Sequence, residues 1–225
     1  MASHPGFPGR RERAKEDKRR RIMDAARASF AERGVGGVTT QQIADRADVA
    51  IGTLYLYAAT KAELLIMVQN QKFAAAIDHG LQAAGTAMRA GAGTVASVLA
   101  LVEPVVSCIR EQPENGRTYL HELVIGDPAE PHRRDGLALS LRLENGLADI
   151  LARDPRILRA DTGTLARVIT SIIHVTTTAT VHLRDSSPEI LDHIRRQVSA
   201  VLPGSARAAY LQPTPPSRPA VIRPR

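Results

Sequence analysis

Residues 38–64 read VTTQQIADRADVAIGTLYLYAATKAEL. Thr39 with Gln42 three residues on is a capping box, the hydroxyl taking an orphan N–H and the amide reaching back to the cap, so a helix is expected to start at Thr39. Ile43 and Ala47 share its inner face. Ala47-Asp48-Val49 follows as a turn, and Asp is one of the few side chains that tolerates the left-handed backbone such a turn needs. A second short helix is expected over 51–57. Thr60 and Glu63 then form another capping box, opening a long helix to about Ala84. Ala44 is small enough for the second helix to cross closely, and Val49 and Leu54 are placed to lock onto the first. Two short helices joined this way form a helix-turn-helix, whose second helix enters the DNA major groove.

Outward from this stretch, Ile22, Ala25, Ala26, Ser29 and Phe30 recur at helical spacing, predicting a helix over 15–33 that Gly34, Gly36 and Gly37 stop. Residues 1–13, with Pro5, Gly6, Pro8 and Gly9, are expected to be a disordered basic arm. Downstream, helices are expected at about 94–111, 113–125, 132–153, 162–184 and 187–202, punctuated by Gly91, Gly93, Pro113, Gly126-Asp127-Pro128 and Pro155. Ser187-Pro188 reads as a cap with Pro in the first turn. No stretch shows sustained strand alternation. The Pro- and Arg-containing residues 203–225 read as an unfolded tail. The expected organisation is all-α: an arm over 1–13, a helix-turn-helix domain over 14–60, a helical domain over 61–202 and the tail.

Composition agrees. Apolar residues make up 44% and aromatics only 3%, with no Trp, which suits an aliphatic helical core. The net charge of +7 is uneven: residues 1–61 hold 12 Lys/Arg against 7 Asp/Glu, whereas 62–202 hold 14 against 16. A basic head on a slightly acidic body suits a polyanionic partner, although a charge run is as often a solvated end. The single cysteine, Cys108, excludes an internal disulfide, and no Cys/His cluster has zinc spacing. The polar N-terminus lacks the core of a signal peptide, and no apolar run of about 18 residues exists to span a membrane. A cytoplasmic protein without metal or cofactor is expected.

The pattern resembles the tetracycline-repressor (TetR) family of bacterial regulators. The matching residues are Phe30 and Gly34, Val38-Thr39-Thr40, Ile43-Ala44, Ala47, Val49, Gly52-Thr53-Leu54-Tyr55, Thr60-Lys61 and Glu63-Leu64. The likeness is specific over roughly 15–65. It departs from the family at Asp48, where Gly is usual, at Ala50, where Ser or Thr commonly caps the recognition helix, and at Tyr57-Ala58, which replaces a common His-Phe pair. The resemblance implies hydroxyl contacts to phosphate from Thr39, Thr40, Tyr55 and Tyr57. Lys61, at a helix start, suits phosphate on physical grounds. Residues 51–57 contain no Arg, Asn or Gln, so the usual bidentate base pairings are missing. Ile51, Thr53 and Leu56 are left to touch thymine methyls beside Gly52. Gln41, Arg46 and the arm residues Arg10, Arg11 and Arg13 are the expected source of specificity.

For the C-terminal helices the resemblance implies a ligand-binding and dimerising domain. Residues 171–182, SIIHVTTTATVH, are rich in β-branched side chains and need packing to stay helical. A subunit interface of Ile172, Val175 and Ala179 with Ile190, Leu191, Ile194 and Val198 would supply it, and a core helix within one chain is the alternative. Polar groups on that helix, His174 and Thr178, are expected to line an effector pocket with Glu103, Ser107, Tyr119 and Asn145. The expected partners are a palindromic DNA operator, a small-molecule effector of unknown identity and a second copy of the chain. No Gly-x-Ser-x-Gly elbow, P-loop or zinc-protease motif is present. A helical enzyme is a poor second reading, and a DNA-binding regulator without an effector stays open.

Overall fold

The computed structural model describes residues 10–203; the expected tail beyond 203, and the arm before residue 10, lie outside the described residues. Nine α-helices and two short 3-10 turns make up the described regular structure, in agreement with an all-α chain. Helix α1 spans Arg10–Arg33 and buries Ile22, Met23, Ala25, Ala26, Ser29 and Phe30. Arg10, Arg11 and Arg13 therefore sit in its first turns and do not form a flexible arm. The run of residues 10–21 is made of strong helix formers apart from Asp17, and the Gly/Pro breakers all lie before it. Gly34, at φ 68°, ends the helix with its N–H on the Phe30 carbonyl at 3.0 Å.

Helix α2 (Thr40–Arg46) begins with both halves of the capping box in place, Gln42 N–H to Thr39 Oγ1 at 3.2 Å and Thr39 N–H to Gln42 Oε1 at 3.0 Å. Asp48 has φ 52°, the one positive φ at a non-glycine among the described residues, and Arg21 donates to both its carboxylate (3.1 Å) and its carbonyl (3.2 Å). Helix α3 covers only Ile51–Tyr55, two residues short of expectation. Helix α4 runs Lys61–Arg89, capped by Thr60 and five residues longer than expected. Glu63 reaches the N–H of Ala59 at 2.7 Å, one residue before the cap.

The C-terminal helices are α5 (Thr94–Arg110), α6 (Pro113–Ile125), α7 (Pro131–Leu151), α8 (Thr162–Thr178) and α9 (Ser187–Val201). Two apolar cores form. Phe30, Ile43, Leu54 and Leu65 belong to the first, and Ile77, Leu101, Leu147, Ile169 and Ile194 to the second. Helix α4 serves both: Leu64, Leu65, Met67 and Val68 enter the first, and Ile66, Phe73, Ala76, Ile77 and Ala84 the second.

Helix α8 stops at Thr178 instead of continuing to 184. Its hydroxyls bond back along the helix, Thr177 Oγ1 to the Ile173 carbonyl and Thr178 Oγ1 to the His174 carbonyl, both at 2.7 Å. Such back-bonding competes with the helical ladder and favours a bend. Ala179 then turns extended, and the buried Arg110 donates to the carbonyls of Thr177, Leu183 and Asp185. The guanidinium takes over carbonyls the broken helix leaves unpaired.

The expected interface needs correction. Ile190, Ile194 and Val198 are 0% exposed and belong to the core of their own chain, because α9 turns its apolar stripe onto α5 and α8. Ile172 and Leu191 pack partly against the same core, and Ala179 is half-buried at the end of α8. Only Val175, at 61% exposure, offers a free apolar surface.

Asp154 ties the α7–α8 connection to the start of α5. It accepts from Arg156 Nη2 at 2.7 Å and from Thr94 Oγ1 at 2.6 Å. The Arg156 hydrogen bond, aided by Thr94 and opposed by burial, holds its carboxyl well below the usual carboxylate range. A depressed folded-state pKa gives stability that is complete above the unfolded value and lost as pH falls. Unfolding free energy is therefore expected to drop more steeply below about pH 4 in the wild type than in Asp154→Asn, which acid titration of denaturant midpoints would measure.

Candidate functional site

The outer face of the N-terminal unit is built by α2 and α3. Leu54, at 0% exposure, pins α3 onto Ile43 and Ala44 of α2. That leaves Gln41, Gly52, Tyr55 and Leu56 pointing outward, Leu56 at 83% exposure. Thr40 and Tyr55 join the two helices through their hydroxyls, 3.2 Å apart. Ile51, expected outside, packs partly against the head's core, and Thr53 is half-buried. An apolar side chain as exposed as Leu56, on a helix with no charged residue, is suited to contact a surface rather than water.

Gly52 carries a second signal. It lies inside α3, has no positive φ, and a Cβ built there would meet nothing within 4 Å. Within the protein, glycine here only weakens the helix, by about 1 kcal/mol relative to Ala. Close approach of another molecule's backbone is the use such a position has.

The remaining predicted contacts have structural partners. Lys61 Nζ donates to the Val38 carbonyl at 3.0 Å, holding α4 against the α1–α2 loop. Tyr57 Oη donates to the Lys15 carbonyl at 3.0 Å and so fastens the end of α3 to α1. Arg46 makes a bidentate pair with Glu32, both contacts 2.7 Å, which turns it toward α1; each partner's charged form is favoured by that hydrogen bond. Gln41 bonds Asp45 at 2.7 Å along its own helix. Thr39 serves as the α2 cap.

Ala50, the N-cap of α3, makes no side-chain cap bond. Ala50→Ser is expected to raise stability by about 1 kcal/mol, visible as a higher urea midpoint at unchanged slope.

The C-terminal domain holds a cavity of about 530 Å³ between α6 and α8. Val124, Ile125 and Leu183 give it apolar walls, and Arg117, His121 and His174 bring polar atoms. Burial pushes the His174 imidazole below its ordinary pKa, favouring the neutral ring. Of the six residues expected here, His174 and Thr178 line it. Glu103, Ser107 and Asn145 do not; they are exposed, because α5 and α7 turn those positions outward. Tyr119 is also elsewhere, 2% exposed, edge-on to Phe73 and donating to Asn70 Oδ1 at 2.8 Å. Cys108 is mostly buried and its thiol is pushed up to about 11 by desolvation, which favours the protonated form over the nucleophilic thiolate.

Two cross-links between the head and the C-terminal helices were not expected from sequence. Asn115, 4% exposed on α6, accepts from the Val35 N–H and donates to the Phe30 carbonyl, both at 2.8 Å, with Glu114 beside it accepting from the Gly36 N–H at 2.9 Å. His132 Nε2 lies 3.0 Å from the Tyr57 carbonyl, and its own carbonyl accepts from Asn70 at 2.7 Å. No spacing marks an Asn that caps a distant helix; its role exists only once α6 crosses the end of α1.

A surface-facing α3, held by a two-helix scaffold with a left-handed turn at Asp48, is the geometry of a DNA-reading head. Residues 22–68 match the family described as bacterial regulatory proteins, tetR family. Over this segment the chain is similar to the TetR family. Among curated proteins it is 42% identical over 60 residues to the HTH-type transcriptional repressor KstR of Mycobacterium tuberculosis, covering 27% of each chain. KstR of Rhodococcus jostii is 40% identical over 60 residues, 27% of this chain and 28% of that one. The chain thus matches only about a quarter of the length of these curated relatives. The TetR-like fold extends further. A TetR regulator from Rhodococcus sp. RHA1 superposes with a TM-score of 0.60 at 18% identity, covering 85% of this chain and 98% of that one. FadR of Bacillus subtilis, solved with stearoyl-CoA, gives 0.54 at 20% identity over 78% and 97%. Among the described residues, no helix is long and apolar enough to cross a membrane.

Proposed function

We propose that this TetR-family protein is a DNA-binding transcriptional repressor that a small molecule releases from its operator. The observation carrying the reading is that α6 does two things at once. Its first turn clamps the end of α1 through Asn115 and Glu114, and its later turns wall the cavity through Arg117, His121, Val124 and Ile125. A ligand that shifts α6 changes the clamp, so cavity and head share one element. Residues 14–60 are the reading head, and 61–202 the sensing and dimerising part.

An amphipathic effector suits the cavity, with an apolar body along Val124, Ile125 and Leu183 and an acidic or polar head at Arg117, His121 and His174. The FadR complex with stearoyl-CoA supports an acyl thioester as the first probe. The exposed apolar residues Val124, Leu137, Leu141, Val168 and Val175 on α6, α7 and α8 suit cover by a second copy, and two heads on one palindromic site need such a dimer.

The test is a gel shift at two salt concentrations on DNA flanking the protein's own gene, with wild type and Gly52→Ala. Gly52→Ala is expected to fold at least as stably and to bind at least about tenfold more weakly, from lost close approach. Equal affinity would remove α3 from the interface. Stearoyl-CoA is then expected to release the operator and raise the Tm. Tight DNA binding that no acyl-CoA alters would favour the reading without an effector.

A further inference from the structure

We propose a divalent transition-metal site made by His182, Asp185 and His193, binding zinc or a similar ion between the α8–α9 connection and α9. The three side chains bring one ligand atom each within 4.8 Å of one another. Asp185 Oδ2 lies between the rings, 2.7 Å from His182 Nδ1 and 3.6 Å from His193 Nε2. The rings are tilted by 47° to each other, with centroids 4.6 Å apart. Ligands on a tetrahedral zinc, with bonds of roughly 2.0–2.2 Å, stand about 3.4 Å apart. The Asp185–His193 edge already has that length, and the His182–Asp185 edge needs to open by a little over half an ångström, as replacing a shared proton by an ion would do.

The chemistry of the set is selective. Two imidazoles with one carboxylate suit zinc and its neighbours rather than magnesium or calcium, which take all-oxygen sites. All three side chains are partly exposed, at 21%, 27% and 35%, so water can complete the coordination. The scaffold is set before any ion arrives. Arg110 holds the carbonyls of Leu183 and Asp185, which fixes the connection carrying two of the ligands, and His193 rides on a helix whose apolar stripe is fully buried. Ligands fixed by a supporting shell bind without an ordering cost.

Two groups oppose an ion. Arg110 adds a positive charge nearby, and Arg196 Nη2 stands 3.0 Å from His193 Nδ1, where metal binding through Nε2 places a proton. Arg196 has Asp192 as its other partner and can withdraw to it. With one carboxylate against these charges, the affinity expected is micromolar rather than that of a structural zinc finger. The sequence hides the site because its ligands read His-x2-Asp-x7-His, across a helix break that no spacing rule anticipates.

The tag-free full chain, stripped with chelator, would be titrated with Zn²⁺ alone by calorimetry and with Co²⁺ alone by visible absorption. Expected are one ion per chain, a Co²⁺ d–d band, a raised Tm, and at least about tenfold weaker binding in both His182→Ala and His193→Ala. Since both histidines are partly exposed, the variants should keep the wild-type helical circular dichroism. If either fails to do so, Asp185→Asn, which is isosteric, replaces it. No stoichiometric binding, or binding unchanged in the variants, would overturn the site. Neither readout involves DNA or an effector, so failure here leaves the proposed function standing.

Discussion

Asn115→Ala is expected to lower stability by about 2–3 kcal/mol and to disconnect the head from the cavity. The Val35 N–H has its partner in Asn115 Oδ1 and lies buried, so truncation leaves a donor unpaired, which is the expensive way to lose a hydrogen bond. The Phe30 carbonyl suffers less, since it still accepts from the Gly34 N–H at 3.0 Å. Two signatures separate this from a general weakening. Amide exchange at Val35 should accelerate more than at Leu101 in the distant core, and the release of DNA by an effector should shrink while DNA affinity itself survives. An unchanged melting temperature together with unchanged exchange at Val35 would refute the clamp.

The second large effect is expected at Gly80. This α4 glycine faces α5 so closely that a Cβ would collide with the Leu101 carbonyl oxygen. A backbone atom cannot rotate away as a side chain end can, so Gly80→Ala must part the most extensively packed helix pair of the domain. The helix-propensity gain of about 1 kcal/mol is outweighed by overpacking, leaving a net loss of about 2 kcal/mol and a Tm lower by roughly 4–8 °C. Gly85 on the same helix is the control. A Cβ there meets only the flexible end of Arg89, at 3.7 Å, so Gly85→Ala should stabilise. Thermal melts of the two variants with opposite signs are the expected result; a stable Gly80→Ala would mean that α4 and α5 are not held at this distance.

The sequence was most legible where structure is local. Capping residues such as Thr39 and Thr60 act over three residues, and both hydroxyls cap as the spacing implied; only the return bond of Glu63 departs from it, reaching Ala59 instead of Thr60. The same locality makes the turn at Asp48 readable, while the missing cap at Ala50 shows only against the family pattern. Legibility failed where a position's meaning depends on what lies across from it. The apolar stripe Ile190, Ile194 and Val198 was plain, but a stripe does not say whether its cover is the same chain or another, and here the same chain covers it. The length of α8 failed for a related reason, since Arg110, some seventy residues away, receives the carbonyls at its broken end. Residue type alone points polar residues on α5 and α7 to a pocket, and helix rotation, which sequence leaves undetermined for isolated polar positions, turns Glu103, Ser107 and Asn145 outward.

Helix α4 enters both hydrophobic cores without interruption, and this makes it a lever as well as a wall. Twenty-nine helical residues form a rod about 43 Å long. If its far end is the pivot, a tilt of only about 5° swings the near end by about 4 Å, close to the 3.4 Å rise of one base step. In the proposed dimer, two heads displaced by a base step apiece would fall out of phase with the double helix, so small rearrangements deep in the C-terminal core would be enough to change occupancy of the proposed operator.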